Sequence, residues 1–190
     1  MSPIPLNKKR MLMKHKILSK NNQEEVASLF SSVFTSSEGE KEGKLIGDLA
    51  SKLASGIDNQ DIICFGTYIE ESIIGSIFFT RLQFKEAIQV YMLAPVAINT
   101  EHQEKGVGQA LINHGLNELK IRSVAVAITY GDPSFYSKVG FQAMSENVIQ
   151  APIKLSFPEG WLGQSLTEES IPTINDLPTC VKEFNDPAYW

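Results

Sequence analysis

One stretch, Val90 to Phe141, constrains the fold of this chain more than any other. An apolar run from Val90 to Ile98 precedes a polar turn, Asn99 to Lys105. A helical pattern follows from Gly106 to Lys120, and a second apolar run, Val124 to Tyr130, closes the unit. Strand, helix and strand in that order must lay the two strands parallel with a right-handed crossover. The C-terminal ends of both strands and the N-terminus of the helix therefore open on one side. Unpaired N–H groups and the helix dipole favour an anion there. Within the helix Val107, Gly108, Leu111, Ile112, Gly115, Leu116 and Leu119 share one arc, which packs on the sheet. His114 falls at the margin of that arc with no partner evident nearby, and reads as a partly exposed histidine rather than a ligand or base.

Gly106 and Gly108 stand where this helix begins, so the backbone N–H groups of Gln103 to Gln109 can face a pyrophosphate with little side-chain obstruction, and Lys105 adds a positive charge. The bland alternative is a turn glycine at 106 and a close-packing glycine at 108, and the two glycines alone do not choose between them. The dinucleotide fingerprint fails, because Leu111 stands where that pattern needs Gly or Ala and the polar turn is too long. A Gly-Lys-Ser/Thr phosphate loop is absent as well, and with it the magnesium-ligand pattern of a phosphoanhydride enzyme.

Gln103-Glu104-Lys105-Gly106-Val107-Gly108 resembles the Gln/Arg-x-x-Gly-x-Gly/Ala pyrophosphate loop of the GNAT superfamily of acyl-CoA-dependent N-acetyltransferases. Leu93-Ala94-Pro95-Val96-Ala97-Ile98 is similar to the strand that precedes it in that family. Gly131 to Phe141, GDPSFYSKVGF, resembles the G-D-P-x-Y-Y-x-R-F-G-F segment of a bacterial branch of predicted acetyltransferases, with Phe135 and Lys138 in place of Tyr and Arg. The resemblance implies an α/β (α+β) fold with a mixed, mainly antiparallel sheet of about seven strands, a central parallel β-α-β unit and helices on both faces. It implies acetyl-CoA as co-substrate and no metal, with transfer of the acetyl group to a small-molecule or peptide amine. It implies that Val96, Ala97 and Ile98 hold the pantetheine arm and that Gln103, Glu104, Lys105, Gly106, Val107, Gly108 and Gln109 hold the pyrophosphate. Ser134 and Tyr136 then lie against the cofactor, with Tyr136 aimed at the sulfur as the catalytic acid. The family's asparagine at the end of the second parallel strand is missing, Thr129 and Tyr130 standing there. A non-catalytic acyl-CoA sensor or interaction module with the same fold remains the competing reading.

At 190 residues and 43% hydrophobic composition, one domain suffices to build a core. No apolar run is long enough to span a membrane, and the N-terminus lacks a secretory pattern. Cys64 and Cys180 sit apart and make no metal-ligand spacing with the three histidines, as suits a cytoplasmic protein. Six basic residues fall in the first 20 positions with no acid, leaving 11 basic against 22 acidic residues in the remainder. A domain that acidic is no nucleic-acid binder. Residues 1–13 are expected as a flexible basic leader, 14–158 as the catalytic domain and 159–190 as an extension packed on it, with a homodimer as open as a monomer.

The rest of the chain fills in around the central unit. Lys14 to Ser19 reads as an edge strand. Val26, Leu29, Phe30, Val33 and Phe34 mark a first helix with Asn21 or Asn22 as N-cap. Thr35 to Gly43 reads as a polar loop carrying Glu38, Glu40 and Glu42 beside the acceptor groove, and a second helix ends at Gly56. Ile62 to Ile69 and Ile73 to Leu82 form a hairpin that the next strand extends. Pro133 to Val139 makes a short helix capped by Asp132 and stopped by Gly140. A strand is expected at Phe141 to Met144, and the alternation of Ile149, Ala151, Ile153, Leu155 and Phe157 predicts a final one. No general base declares itself. Glu101 and His102 lie by the loop as solvated side chains, and the buried setting of Cys64 argues against an acyl-enzyme.

Overall fold

The computed structural model describes residues 12–190, so the basic cluster expected to be a loose leader falls outside the described residues except at its end. The strands are β1 (Met13–Ile17), β2 (Ile62–Ile69), β3 (Ser72–Leu82), β4 (Val90–Ile98), β5 (Val126–Tyr130), β6 (Gln142–Ala143) and β7 (Trp161–Ser165). They form one sheet in the order β1-β2-β3-β4-β5-β7-β6. Of these seven strands β4 and β5 pair in parallel, and the other strand pairs are antiparallel. Period-two alternation gives the sheet two apolar faces. Ile62, Cys64, Phe78 and Met92 join α1 (Gln23–Glu38) and α2 (Glu40–Ser55) on one face. Ile63, Phe65, Phe79 and Leu93 join α3 (Val107–Ile121) on the other. The buried residues of α3 are the seven on the arc expected from spacing.

Three expectations need correction. First, no loop separates the first two helices: α1 runs to Glu38 and α2 starts at Glu40, with Gly39 turning the corner at φ 96°. Gly43, expected at the end of that loop, and Gly47, within the second helix, let the helices touch. A Cβ on Gly43 would lie 1.8 Å from Thr35 Oγ1, and one on Gly47 2.8 Å from Ser31 Cβ. Second, residues 149–157 form no strand despite their alternation. Ile149, Ala151 and Leu155 are buried, but the segment's only ladder contact is a single bridge from Ile149 to Ile174. Third, the sheet strand in this region is β7, which pairs with β5 from Val126↔Ser165 to Tyr130↔Trp161 and with β6. β7 thus lies within the expected extension and continues the sheet. Likewise β1 opens at Met13, inside the expected leader.

The crossover creates the functional opening. β4 and β5 pair from Val90↔Val126 to Leu93↔Thr129 and no further. Thr129 Oγ1 donates to the Leu93 carbonyl oxygen at 2.7 Å, which closes the ladder at its last rung. Beyond it, Ala94 and Pro95 make an irregularity opposite Phe78 in the pairing with β3. Pro95 has no N–H to continue a ladder, and the extra residue exchanges the faces of the rest of the strand. Val96 and Ile98 accordingly turn toward α3, while Ala97 turns toward α1 and α2.

Candidate active site

The gap between the ends of β4 and β5 widens into a cleft of about 940 Å³. Its floor is the β4 backbone. Asn99 N–H donates to the Ile74 carbonyl at 2.8 Å, so by strand alternation the N–H groups of Ile98 and Val96 face away from β3, into the gap. Gln103 reaches back with Nε2 to the Ile98 carbonyl oxygen at 2.9 Å. That bond fixes the loop to the strand end, so the Gln103 side chain braces the site while its backbone lines it.

The loop ends in an uncapped helix. Gly106 is the N-cap of α3 at φ 79°, no side chain caps the first turn, and a Cβ on Gly106 would meet nothing within 4 Å. The left-handed conformation and the open space together suit glycine, and they leave the first-turn N–H groups facing the cleft. Gly108 is different: a Cβ there would lie 3.3 Å from Ile98 Cγ1 and 3.4 Å from Phe135 Cζ. It is a close-packing residue that seats the helix end on β4 and α4 (Pro133–Tyr136). Lys105 lies outside the cleft and donates from Nζ to the Glu101 carbonyl oxygen at 2.9 Å.

Tyr136 stands across the gap. Asp132 caps α4 by accepting from the Ser134 N–H at 2.9 Å, and both its carboxylate oxygens accept from the Ser134 hydroxyl, at 2.8 and 2.9 Å. The Ser134 side chain is therefore spent on the cap and does not line the cleft. These bonds to Ser134 hold the Asp132 carboxyl below its ordinary pKa. The Tyr136 ring is clamped edge-on by Phe135 and Phe141, with centroids 5.0 and 5.9 Å away. Gly131 makes this placement feasible, because a Cβ there would lie 2.8 Å from the ring. Burial pushes the Tyr136 hydroxyl up to about 12, with the Thr129 hydroxyl pulling the other way and Asp132 adding to the rise. The phenol is protonated at neutral pH.

Of the residues singled out in the sequence, Val96, Ile98, Gln103, Glu104, Gly106, Val107, Gly108, Gln109 and Tyr136 line one cleft, while Ala97, Lys105 and Ser134 do not. Among the acids of the helical corner, Glu38 and Glu42 line it and Glu40 faces a separate shallow depression with Lys44 and Asp48. Glu101 stays outside, but His102 is on the wall, its Nδ1 buried and without a hydrogen-bond partner among the described residues. Sequence reasoning missed the contribution of Phe34, Ile46, Phe184 and Tyr189, which reach the cleft from the α1–α2 face. The cluster of aromatics at the chain's end was the available signal. His114, read as lacking a partner, packs against His15 of β1 at a centroid distance of 4.9 Å with the rings tilted by 30°, a neighbour that lies 99 positions away in the sequence. Among the described residues no three potential ligands converge as for a metal, and no helix is long and apolar enough to cross a membrane.

The parallel strands part beside an uncapped helix N-terminus, and the same fold recurs in known proteins. A family model described as an acetyltransferase (GNAT) domain matches residues 60–143, from just before β2 through β6. An uncharacterized N-acetyltransferase of Escherichia coli K12, YjhQ, is 30% identical over 106 residues, 53% of this chain and 59% of the relative. A second from the same strain, YhbS, is 31% identical over 74 residues, 38% of this chain and 44% of the relative. The matches thus span about half the length of these curated relatives. A crystal structure of E. coli YhbS in complex with CoA superposes with a TM-score of 0.77, at 20% identity and covering 96% of this chain and 97% of that one. An acetyltransferase from Brucella melitensis, solved with acetyl-CoA, gives 0.66 at 17% identity, covering 93% and 100%. Over residues 60–143 the chain is similar to the GNAT family of N-acetyltransferases, and it shares the fold of these solved structures.

Proposed function

We propose that this protein transfers an acetyl group from acetyl-CoA to an amine, directly and within a ternary complex. The observation that carries the reading is the coincidence in one cleft of three features: the uncapped α3 N-terminus, the unpaired β4 edge and a protonated tyrosine. The residues present fit the nucleotide. The first-turn N–H groups of α3, behind the open space at Gly106, suit a pyrophosphate. The free N–H groups of Val96 and Ile98 suit an amide-bearing pantetheine arm that adds as a strand. Acetyl-CoA supplies an activated thioester, and the chain supplies orientation and a proton.

In this reading the β4 backbone polarises the thioester carbonyl through an N–H donor. The amine nitrogen bonds to the carbonyl carbon and the C–S bond breaks, while Tyr136 donates its proton to the departing sulfur. The surplus proton of the amine leaves to water and restores Tyr136. A covalent route finds no nucleophile on either cysteine. Cys64 is buried, and its thiol is pushed up to about 12 by desolvation, against a weaker effect of its Ser76 contact. Burial also raises Cys180, and neither lines the cleft. His102 shares the cleft wall with its buried Nδ1, and Tyr136 is the group placed to donate a proton.

Acetyl-CoA titrated into the protein in a calorimeter, followed by turnover across a panel of primary amines, tests the reading. Micromolar binding with release of free CoA thiol in the presence of an amine supports it. Binding without turnover of any amine would favour the acyl-CoA sensor instead. Intact mass measured after exposure to acetyl-CoA without acceptor separates direct transfer from an acyl-enzyme. The mass should be unchanged, and a stable acetyl adduct lost in a Cys64→Ala, Cys180→Ala variant along with activity would overturn direct transfer.

A further inference from the structure

The cleft joins two faces of the sheet, and its two ends differ in chemistry. The α3 end holds the pyrophosphate loop and the β4 edge. Beyond the gap the cleft continues under α1, α2 and the end of the chain, where Phe34, Ile46, Leu49, Phe184 and Tyr189 make an apolar wall. This wall would bury a body of several carbons, at the usual gain of about 25 cal/mol for each Å² removed from water. Two carboxylates share that end, Glu38 and the half-buried Glu42. No lysine or arginine lines it among the described residues; Lys138, the basic residue on the cleft wall, belongs to the turn after α4.

Neither carboxylate has an ion-pair partner among the described residues, and Glu38 is the more exposed of the two. Gly39 turns the corner in a single residue, and the glycine contacts at 43 and 47 press α2 against α1, so Glu38 and Glu42 reach the cleft from two helices at one fixed corner. Lys44, further along α2, is already paired to Asp48 at 2.8 Å. Helix stability does not account for Glu38. A carboxylate in the last turn of α1 opposes the negative end of the helix dipole, and that turn carries no basic residue.

We propose that this end selects the acceptor: an amine carried on an aryl or alkyl body, cationic in solution and lacking a carboxylate. The inference rests on the transferase reading and deepens it. The aromatic wall takes the body, and Glu38 and Glu42 attract the ammonium form. An amino acid with a free α-carboxylate would set a third negative charge in the same corner with no cation to offset it, so decarboxylated amines are favoured over their amino-acid parents. The segment that ends in Tyr189 supplies part of the specificity, because Phe184 and Tyr189 close the wall that α1 and α2 leave open.

Calorimetry of the CoA-saturated protein with 2-phenylethylamine, phenylalanine and 3-phenylpropionate tests this without requiring turnover. The amine should bind at least about tenfold more tightly than phenylalanine, and 3-phenylpropionate should be weakest. In Glu38→Gln, Glu42→Gln the preference for 2-phenylethylamine over phenylalanine should shrink by roughly threefold or more, while CoA affinity stays the same. Tyr189→Ala should weaken 2-phenylethylamine while CoA affinity stays the same. Equal binding of the three probes, a preference for phenylalanine, or an unchanged preference in the double variant would overturn the proposal. The separate acetyl-CoA titration shows which reading has failed: a protein that binds acetyl-CoA but not 2-phenylethylamine keeps the transferase reading and loses this one.

Discussion

At the scale of single residues, Tyr136 and the two loop glycines do different work. Tyr136→Phe keeps the ring between Phe135 and Phe141 and removes only the hydroxyl. We expect kcat to fall by roughly tenfold to a thousandfold, the range of one positioned acid, with acetyl-CoA affinity within about twofold of the original. Collapse of affinity with kcat intact would make Tyr136 a packing residue. The pH dependence comes from the direction of its shift. The folded state raises the hydroxyl from its ordinary value of 10 to about 12, which favours the neutral form. That stabilisation is fully present below pH 10 and is lost as pH climbs toward 12. The kcat ratio between wild type and Tyr136→Phe should therefore stay flat from neutrality to about pH 9.5, and a basic limb belonging to Tyr136 at lower pH would contradict the assignment. Gly108→Asp acts through packing. Its side chain would enter the contact with Ile98 and Phe135 and bring a carboxylate to the helix end proposed to take the phosphates. Acetyl-CoA affinity should drop by more than tenfold, or about 1.4 kcal/mol, in calorimetry. Lys105→Ala should matter much less, since that ammonium is exposed and already committed to a carbonyl.

At the scale of elements, the α1–α2 corner and the β4–β5 split set the shape of the cleft. Gly43 is the tightest point of the helix pair. Gly43→Ala puts a methyl 1.8 Å from Thr35 Oγ1 and 2.8 Å from Thr35 Cα; the hydroxyl can rotate away, but the backbone atom cannot. The helices must separate, at an expected cost of about 1–3 kcal/mol in urea unfolding. Because Glu38 and Glu42 ride on this corner, the variant should also raise KM for the amine more than KM for acetyl-CoA. Equal stability would mean that the helices tolerate a wider crossing. The β4–β5 split has its cause in a few residues: Pro95 interrupts the donors, the irregularity at Ala94 and Pro95 turns Val96 and Ile98 toward α3, and the Thr129 hydroxyl takes up the last carbonyl.

At the scale of the whole molecule, the end of the chain locks the sheet to the cleft. Trp190 is 5% exposed, stacks on Tyr130 with centroids 6.2 Å apart and donates from its indole N–H to the Phe184 carbonyl oxygen at 2.8 Å. Tyr130, at the end of β5, also receives the Phe157 N–H at 2.8 Å, so one side chain gathers three distant segments. Trp190→Ala should cost roughly 3–5 kcal/mol of stability, as for other large-to-small core changes, and loosen Phe184 and Tyr189 at the cleft. A loss below about 1 kcal/mol, read from the urea midpoint at constant slope, would show that the terminal segment packs only loosely.

The central unit was legible in the sequence because its signals are local. Period-two and period-3.6 patterns, the Asp132-Pro133 cap and the glycines at 106, 108 and 140 depend on neighbours a few residues away, and the strands, the crossover helix and its buried arc result from them. The failures were tertiary. Gly39 and Gly43 carry the composition of a loop, and only the facing Thr35 and Ser31 make Gly43 and Gly47 contact points between helices. Residues 149–157 carry the alternation of a strand, yet the place beside β5 is taken by Trp161–Ser165, and a strand exists only where a neighbour accepts its hydrogen bonds. Sequence by itself determined the glycine-bearing loop at the start of α3 and the position of Tyr136 on a capped helix. What closes the far end of the cleft was decided by long-range packing, which alone brings Glu42, Phe34 and Tyr189 to one wall.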